Sequence, residues 1–307
     1  MVIPTFQRPD RLQATLRAAL VQVAGQDRTE IIVVDNDPDG SARAVTPADA
    51  RYVHEPRRGV AHARNRGVAA ARGSHIVFLD DDETPAPGWL AAFRARARAG
   101  DLACFGRIEA AFESPPPAHL ARILGALFSR RLDRPSGTDI SADRAWLGTG
   151  NAMFHKATCL GGQTPFDARF NGGGEDVWLI RRLVEEDAIP LTWSNEAMVR
   201  EVVPPGRMTP DYLRARTFEG GVMRCITAHG QGGLAALARV GLWMGAGLVQ
   251  SLLYGVAEAC LEHRVIICSD EIHAQLVLEE GCEHIPMAAL GPEIAARTIT
   301  LLVMVLP

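Results

Sequence analysis

The run Asp80-Asp81-Asp82-Glu83 sets four carboxylates side by side, directly after the apolar segment His75-Ile76-Val77-Phe78-Leu79. Adjacent carboxylates repel one another, and nothing about folding calls for them at a strand end. Mg2+ and Mn2+ take hard oxygen ligands, commonly one or two carboxylates completed by substrate phosphates and water. In an alternating pair such as Asp80 and Asp82, one side chain can reach a ribose while the other holds the ion. An ion so placed bridges two phosphates and offsets the charge of a departing diphosphate. The competing explanation is a solvated acidic turn at the start of the helix near Trp89, where the helix dipole favours negative charge.

Three further groups invite chemistry. Asp35, followed by Asn36 and Asp37, closes the apolar run Ile31-Ile32-Val33-Val34; its carboxylate can accept hydrogen bonds from a base imide or a ribose, although Asp-Asn-Asp-Pro is also an ordinary turn. Arg64 and Asn65 follow Gly59 on a helical pattern, and the planar guanidinium fork suits a diphosphate. Glu175 and Asp176 come after Gly172-Gly173-Gly174 and open another helix. A carboxylate there can act as general base toward an acceptor hydroxyl, or it can simply complement the helix start; the glycines let backbone approach a ligand closely.

These residues need a scaffold, and the pattern supplies one. Short β-rich runs at Val2–Thr5, 30–35, 51–55, 75–79 and 102–108 alternate with helical spacing at 9–23, 60–71 and 89–99. Such a rhythm implies an α/β fold, a mostly parallel sheet with helices on both faces. In such sheets ligands bind beyond the carboxyl ends of the strands, where Asp35 and Asp80 fall. Beyond the Ser114-Pro115-Pro116-Pro117 break, the pattern suggests a helix at 118–129, a polar loop at 133–144, and helices at 175–186 and 209–229. Residues 240–257 carry no charge, a length at the lower limit for a bilayer span; a helix lying on a membrane surface suits them equally.

The formal net charge is −4 over 307 residues, without the basic excess expected of a nucleic-acid binder. Six scattered cysteines make no metal or redox pair and read as reduced thiols of the cytosol. No basic stretch precedes the first strand, so no secretory signal is expected.

Taken in order, the motifs resemble glycosyltransferase family 2, inverting enzymes with the GT-A fold. The matching pieces are Val2-Ile3-Pro4-Thr5-Phe6-Gln7-Arg8, Ile32 to Asn36, Gly59 to Gly67 with Ala63-Arg64-Asn65, Phe78 to Asp82 with Pro85 and Trp89, Gly148-Thr149-Gly150-Asn151, and Gly174-Glu175-Asp176. The Pro87-Gly88-Trp89-Leu90 and Val202-Val203-Pro204-Pro205-Gly206-Arg207 segments resemble succinoglycan-type glucosyltransferases of bacterial exopolysaccharide assembly. The resemblance implies a GT-A domain over 1–230, a UDP-sugar donor, Mn2+ or Mg2+, and a lipid-linked or saccharide acceptor. It also implies a cytoplasmic protein at the inner face of the plasma membrane, with 231–262 as a membrane-associating helix. Carried over, Pro4, Thr5, Arg8, Asp35, Arg64, Asn65 and Asp80 bind the nucleotide-sugar. Asp82 holds the metal with Asp80 in support, Gly150 and Asn151 lie on the acceptor side, and Asp176 is the base with Glu175 as second choice. One departure is Arg200, which stands where the family often has a histidine near the metal.

The tail differs in character. Val265 to His273, His284-Ile285-Pro286 and 291–300 resemble pyridoxal-phosphate aminotransferases of the cystathionine β-lyase type. The Schiff-base lysine of that family is missing, and Lys156 is the single lysine of the chain; without it the cofactor cannot be held as an internal aldimine. Residues 263–307 are therefore expected to be a non-functional remnant, with no pyridoxal phosphate. The competing readings are a catalytically degenerate glycosyltransferase-like scaffold and, more weakly, a nucleotidyltransferase, whose glycine-rich loop after strand one is absent.

Overall fold

The computed structural model of the chain describes residues 1–216 together with Ala238, Gly241, Leu242 and Gly245. The chain divides into two compact units, one of Met1–Pro115 with Gly125–Arg207 and one of Pro116–Leu124 with Met208–Pro307. In chain order the elements are β1 Val2–Thr5, α1 Pro9–Val23, β2 Ile32–Asp35, β3 Arg51–His54, α2 Val60–Ala70, β4 His75–Phe78, β5 Glu83–Pro85 and α3 Trp89–Arg98. They continue with β6 Ala103–Phe112, α4 Ala121–Leu127, β7 Ala152–His155, α5 Lys156–Cys159, α6 Glu175–Glu185 and β8 Leu191–Val203. In the second unit, the described residues form a 3-10 turn at Ala118–Leu120, the first residues of α4 and a helical run at 210–216.

The eight strands of the described residues form one sheet of order β3-β2-β1-β4-β7-β6-β8-β5. The fold is α/β with a mostly parallel sheet, as expected: four of its seven strand pairings are parallel, β6 with β8 among them, and three are antiparallel. β3, β2, β1 and β4 run parallel, while β7 lies antiparallel to both β4 and β6, and β5 is antiparallel to β8. The helix expected over 118–129 is a 3-10 turn leading into the short α4.

Alternate side chains of each strand leave on opposite faces, and two cores result. Val2, Ile32, Val34, Ile76 and Phe78 pack with Ala61 and Val68 of α2 on one face. Ile3, Val33, Val77 and Leu79 pack with Leu12 and Leu16 of α1 and with Trp89 and Phe93 of α3 on the other. Pro9 opens α1, where a missing N–H costs no intrahelical bond, and Leu12, Leu16 and Ala19 recur on its buried side. Among the described residues, no helix is long and apolar enough to cross a membrane. The apolar run 240–257, all but three residues of it, and the tail 263–307 lie outside the described residues.

Candidate active site

Register brings the carboxyl ends of the parallel strands to one edge: Thr5 pairs with Asp35, and Asp35 with His54. Leu79 N–H donates to Val2 O at 3.1 Å, so the acidic run begins where β1 and β4 part. Thr5 Oγ1 donates to Asp81 Oδ2 at 2.7 Å, and Thr15 Oγ1 to the Asp81 carbonyl at 2.9 Å. Arg8 Nη1 lies 3.3 Å from both Asp81 Oδ1 and Asp82 Oδ2. Burial pushes the Asp81 carboxyl up to about 6, against the Thr5 hydroxyl and Arg8.

Asp80 is the open member of the run, with 38% of its side chain exposed. Arg64, from α2, places Nη2 at 3.6 Å from Asp80 Oδ1 and pairs its Nη1 with Glu175 at the start of α6. Burial lifts the Glu175 carboxyl to about 7, against the pull of Arg64, and Glu175 Oε2 has no hydrogen-bond partner. The segment Gly148-Thr149-Gly150 runs between the two acidic groups. A Cβ on Gly150 would stand 2.6 Å from Asp80 Oδ2, and one on Gly148 would stand 3.1 Å from Asp176 Oδ2. The two glycines are what allow backbone to lie against both carboxylates.

A residue the sequence did not single out holds that segment in place. Arg130 donates from Nε to Gly106 O at 3.0 Å, from Nη1 to Gly148 O at 2.9 Å, and from Nη2 to Gly150 O at 2.8 Å and Asn151 O at 2.9 Å. Burial lowers its pKa to about 10, against the attraction of Glu83 and Asp80. Glu83 is itself buried and pushed well above the usual carboxylate range by burial and by Asp80; its Oε2 accepts the Asp80 N–H at 3.0 Å. Arg207, the last residue of the Val202–Arg207 motif, also reaches the acidic run: its Nη2 lies 3.1 Å from Asp82 Oδ2, and its Nη1 lies 3.2 Å from Glu201 Oε1. The motif marks it without assigning it a role.

Four expected residues face inward. Asp35 is fully buried; its Oδ1 accepts the Asp37 N–H at 3.1 Å, and its Oδ2 accepts the Ala42 N–H at 2.8 Å and the Tyr52 hydroxyl at 3.0 Å. Pro4 is a half-buried backbone member of β1. Asn65 donates to Phe166 O at 2.7 Å and accepts the Phe166 N–H at 3.0 Å, so its amide braces the segment before α6. Asn151 is fully buried at φ 51°; it accepts the Trp89 indole N–H at 2.7 Å and donates to Arg107 O and Ala197 O at 2.8 Å each. Arg200 is exposed on β8, opposite Thr84 and Glu109.

The structure thus gathers Asp80, Arg64, Glu175, Asp176 and Gly150 at one edge of the sheet, with Thr5, Arg8 and Asp82 adjoining. The description "Glycosyl transferase family 2" matches residues 1–154. The chain belongs to that family. Among curated relatives of this glycosyl transferase, the succinoglycan biosynthesis protein ExoM of Rhizobium meliloti is 29% identical over 230 residues, covering 71% of each chain. The validoxylamine A glucosyltransferase of Streptomyces hygroscopicus subsp. limoneus is 28% identical over 230 residues, covering 64% of this chain and 50% of that one. Among solved structures, TarS 1-349 of S. aureus in complex with UDP aligns with a TM-score of 0.48 at 12% identity, over 74% of this chain and 64% of that one.

Proposed function

We propose that the chain moves a sugar from a UDP-sugar, with inversion, to a lipid-linked or saccharide acceptor in the synthesis of a bacterial exopolysaccharide or other surface glycan. The observation that carries the reading is the meeting of Asp80, Arg64, Glu175 and Asp176 from three separate elements at the Gly148–Gly150 backbone. Family membership fixes glycosyl transfer as the reaction class, and the likeness to ExoM motivates the exopolysaccharide context. The lipid-linked acceptor is what motivates a place at the inner face of the plasma membrane.

Asp80 and Asp82 offer hard oxygens of the kind Mn2+ or Mg2+ takes. Among the described residues there is no group of three His, Cys, Asp or Glu side chains able to hold an ion. Two carboxylates fit an ion that completes its shell with the donor's phosphates. Bound there, the cation supplies neutralisation of the departing diphosphate. The chain's own residues do the rest. Arg64 and Glu175 fix one another, and Arg64 steadies Asp80. Asp176, half-buried with Oδ2 turned to Gly148, takes the proton from the acceptor hydroxyl as that oxygen attacks the anomeric carbon from the face opposite the leaving group. Glu175, only 2% exposed and locked to Arg64, is too enclosed for that role.

UDP-sugar hydrolysis and transfer, measured with and without Mn2+, test the reading: Asp82→Ala should abolish both, and cation-independent turnover by that variant would refute the metal assignment. A degenerate nucleotide-binding scaffold is the second reading, favoured by the two arginines already on Asp82. UDP binding without turnover across a donor panel would establish it.

A further inference from the structure

Arg8 and Arg207 reach the same oxygen of Asp82, at 3.3 Å and 3.1 Å. Asp82 is 7% exposed and lies where a divalent ion is expected. A cation arriving alone at that oxygen meets two positive charges held within a few ångströms of it, which oppose it strongly in a partly buried setting. Arg207 is also well placed by the fold. The Val202 N–H donates to Asp82 O at 2.9 Å, Glu83 stands in register with Glu201, and the turn Pro205–Arg207 follows at once. The guanidinium of Arg207 is therefore delivered to the acidic run by β8 itself. Its second partner, Glu201, is a rim carboxylate with 21% of its side chain exposed, so the pair stands at the boundary with solvent.

A diphosphate reverses the balance. Its oxygens match the planar fork of arginine two at a time, and its negative charge draws a guanidinium away from a carboxylate while leaving that carboxylate to the cation. We propose that Arg207 is a diphosphate-binding residue of the donor site, and that its ion pair with Asp82 stands in the cation's place until nucleotide and cation arrive together. Binding of the two is then mutually dependent, and the exchange keeps Asp82 from capturing a metal ion in the absence of donor. The inference rests on the glycosyltransferase reading above and adds to it a residue and an order of events.

The test is Mn2+ binding to the full chain, read from the loss of the free-ion electron paramagnetic resonance signal, with and without UDP, alongside UDP binding by calorimetry in the presence of Mn2+. Wild type should bind Mn2+ weakly alone and tightly with UDP. Arg207→Gln should bind Mn2+ alone roughly tenfold more tightly, because one opposing charge is gone, and UDP roughly tenfold more weakly, because the fork is gone. Arg207→Lys keeps the charge and loses the fork: Mn2+ affinity without nucleotide should match wild type, while UDP affinity still falls severalfold. Melting curves establish that each variant is folded, and the lysine variant carries the test if the glutamine variant is not. Unchanged UDP affinity in either folded variant, or unchanged nucleotide-free Mn2+ affinity in the glutamine variant, overturns the role of Arg207 and leaves the glycosyltransferase reading standing. Wild type that binds neither UDP nor Mn2+ overturns both.

Discussion

Replacing Arg130 by lysine probes how the Gly148–Asn151 segment is held. Arginine serves four carbonyls from three nitrogens: Gly106 O through Nε, Gly148 O through Nη1, and Gly150 O and Asn151 O through Nη2. Lysine keeps the charge near Glu83 and Asp80 but gathers its donors on one nitrogen, which can satisfy at most two acceptors spread over β6 and the loop. At least two hydrogen bonds from a charged donor are lost, each worth about 1.5–3 kcal/mol. Allowing for partial replacement by water, the fold should lose about 3 kcal/mol. For a domain of this size that lowers the melting temperature by about 6–12 °C. Urea unfolding gives the free energy, and steady-state kinetics supply the second readout. The loosened backbone lies against Asp80 and Asp176, so kcat should fall more than donor KM rises. A lysine variant within about 1 kcal/mol of wild type, with unaltered kcat, would refute the claim that this guanidinium shapes the site.

Two further substitutions bear on residues that the structure recasts. The Glu175 carboxyl rises from its ordinary 4.5 to about 7 in the fold, so between those values the folded state binds more protons than the unfolded one. Stability contributed at low pH is therefore lost as pH rises through that window. Glu175→Gln should remove this slope, and chemical unfolding at pH 5 and pH 8 should find the variant gaining on wild type at the higher pH; a difference independent of pH refutes the assignment. Asn151→Ala strands the Trp89 indole N–H and the carbonyls of Arg107 and Ala197, and it leaves alanine at φ 51°. The expected loss is about 4 kcal/mol or more from unpaired buried groups and left-handed backbone. A fully stable but inactive variant would instead return Asn151 to the acceptor side.

The parts of this molecule that announce themselves in sequence are those with local causes. β1, β2 and β4 are continuous apolar runs because both of their faces are covered, and the acids at the ends of β2 and β4 mark the sheet edge where the site lies. α1 and α6 show their buried sides by spacing alone. β5 is three residues long, too short for a periodicity, and both it and β7 exist through partners far along the chain. β8 carries Ser194-Asn195-Glu196 in its middle, a polar interruption that reads as a loop. The β6–β8 register shifts between Gly106 and Ile108, which accommodates it. Arg130 and the role of Arg207 escape for a related reason. One binds backbone carbonyls, which carry no residue signature, and the other meets Asp82 only after β8 has returned across the sheet. Asn65 and Asn151 sit inside recognisable motifs, yet their amides brace backbone.

β4 and β7 are hydrogen-bonded neighbours, with Phe78 opposite Ala152. Asp80 leaves one strand two residues past its end, and Asn151 enters the other one residue before its start. Adjacent strands lie about 4.8 Å apart, so Asp80 and the Gly148–Asn151 backbone that lies against it are anchored about a single strand width from each other. Their juxtaposition is a property of one rigid ladder, present before any substrate arrives.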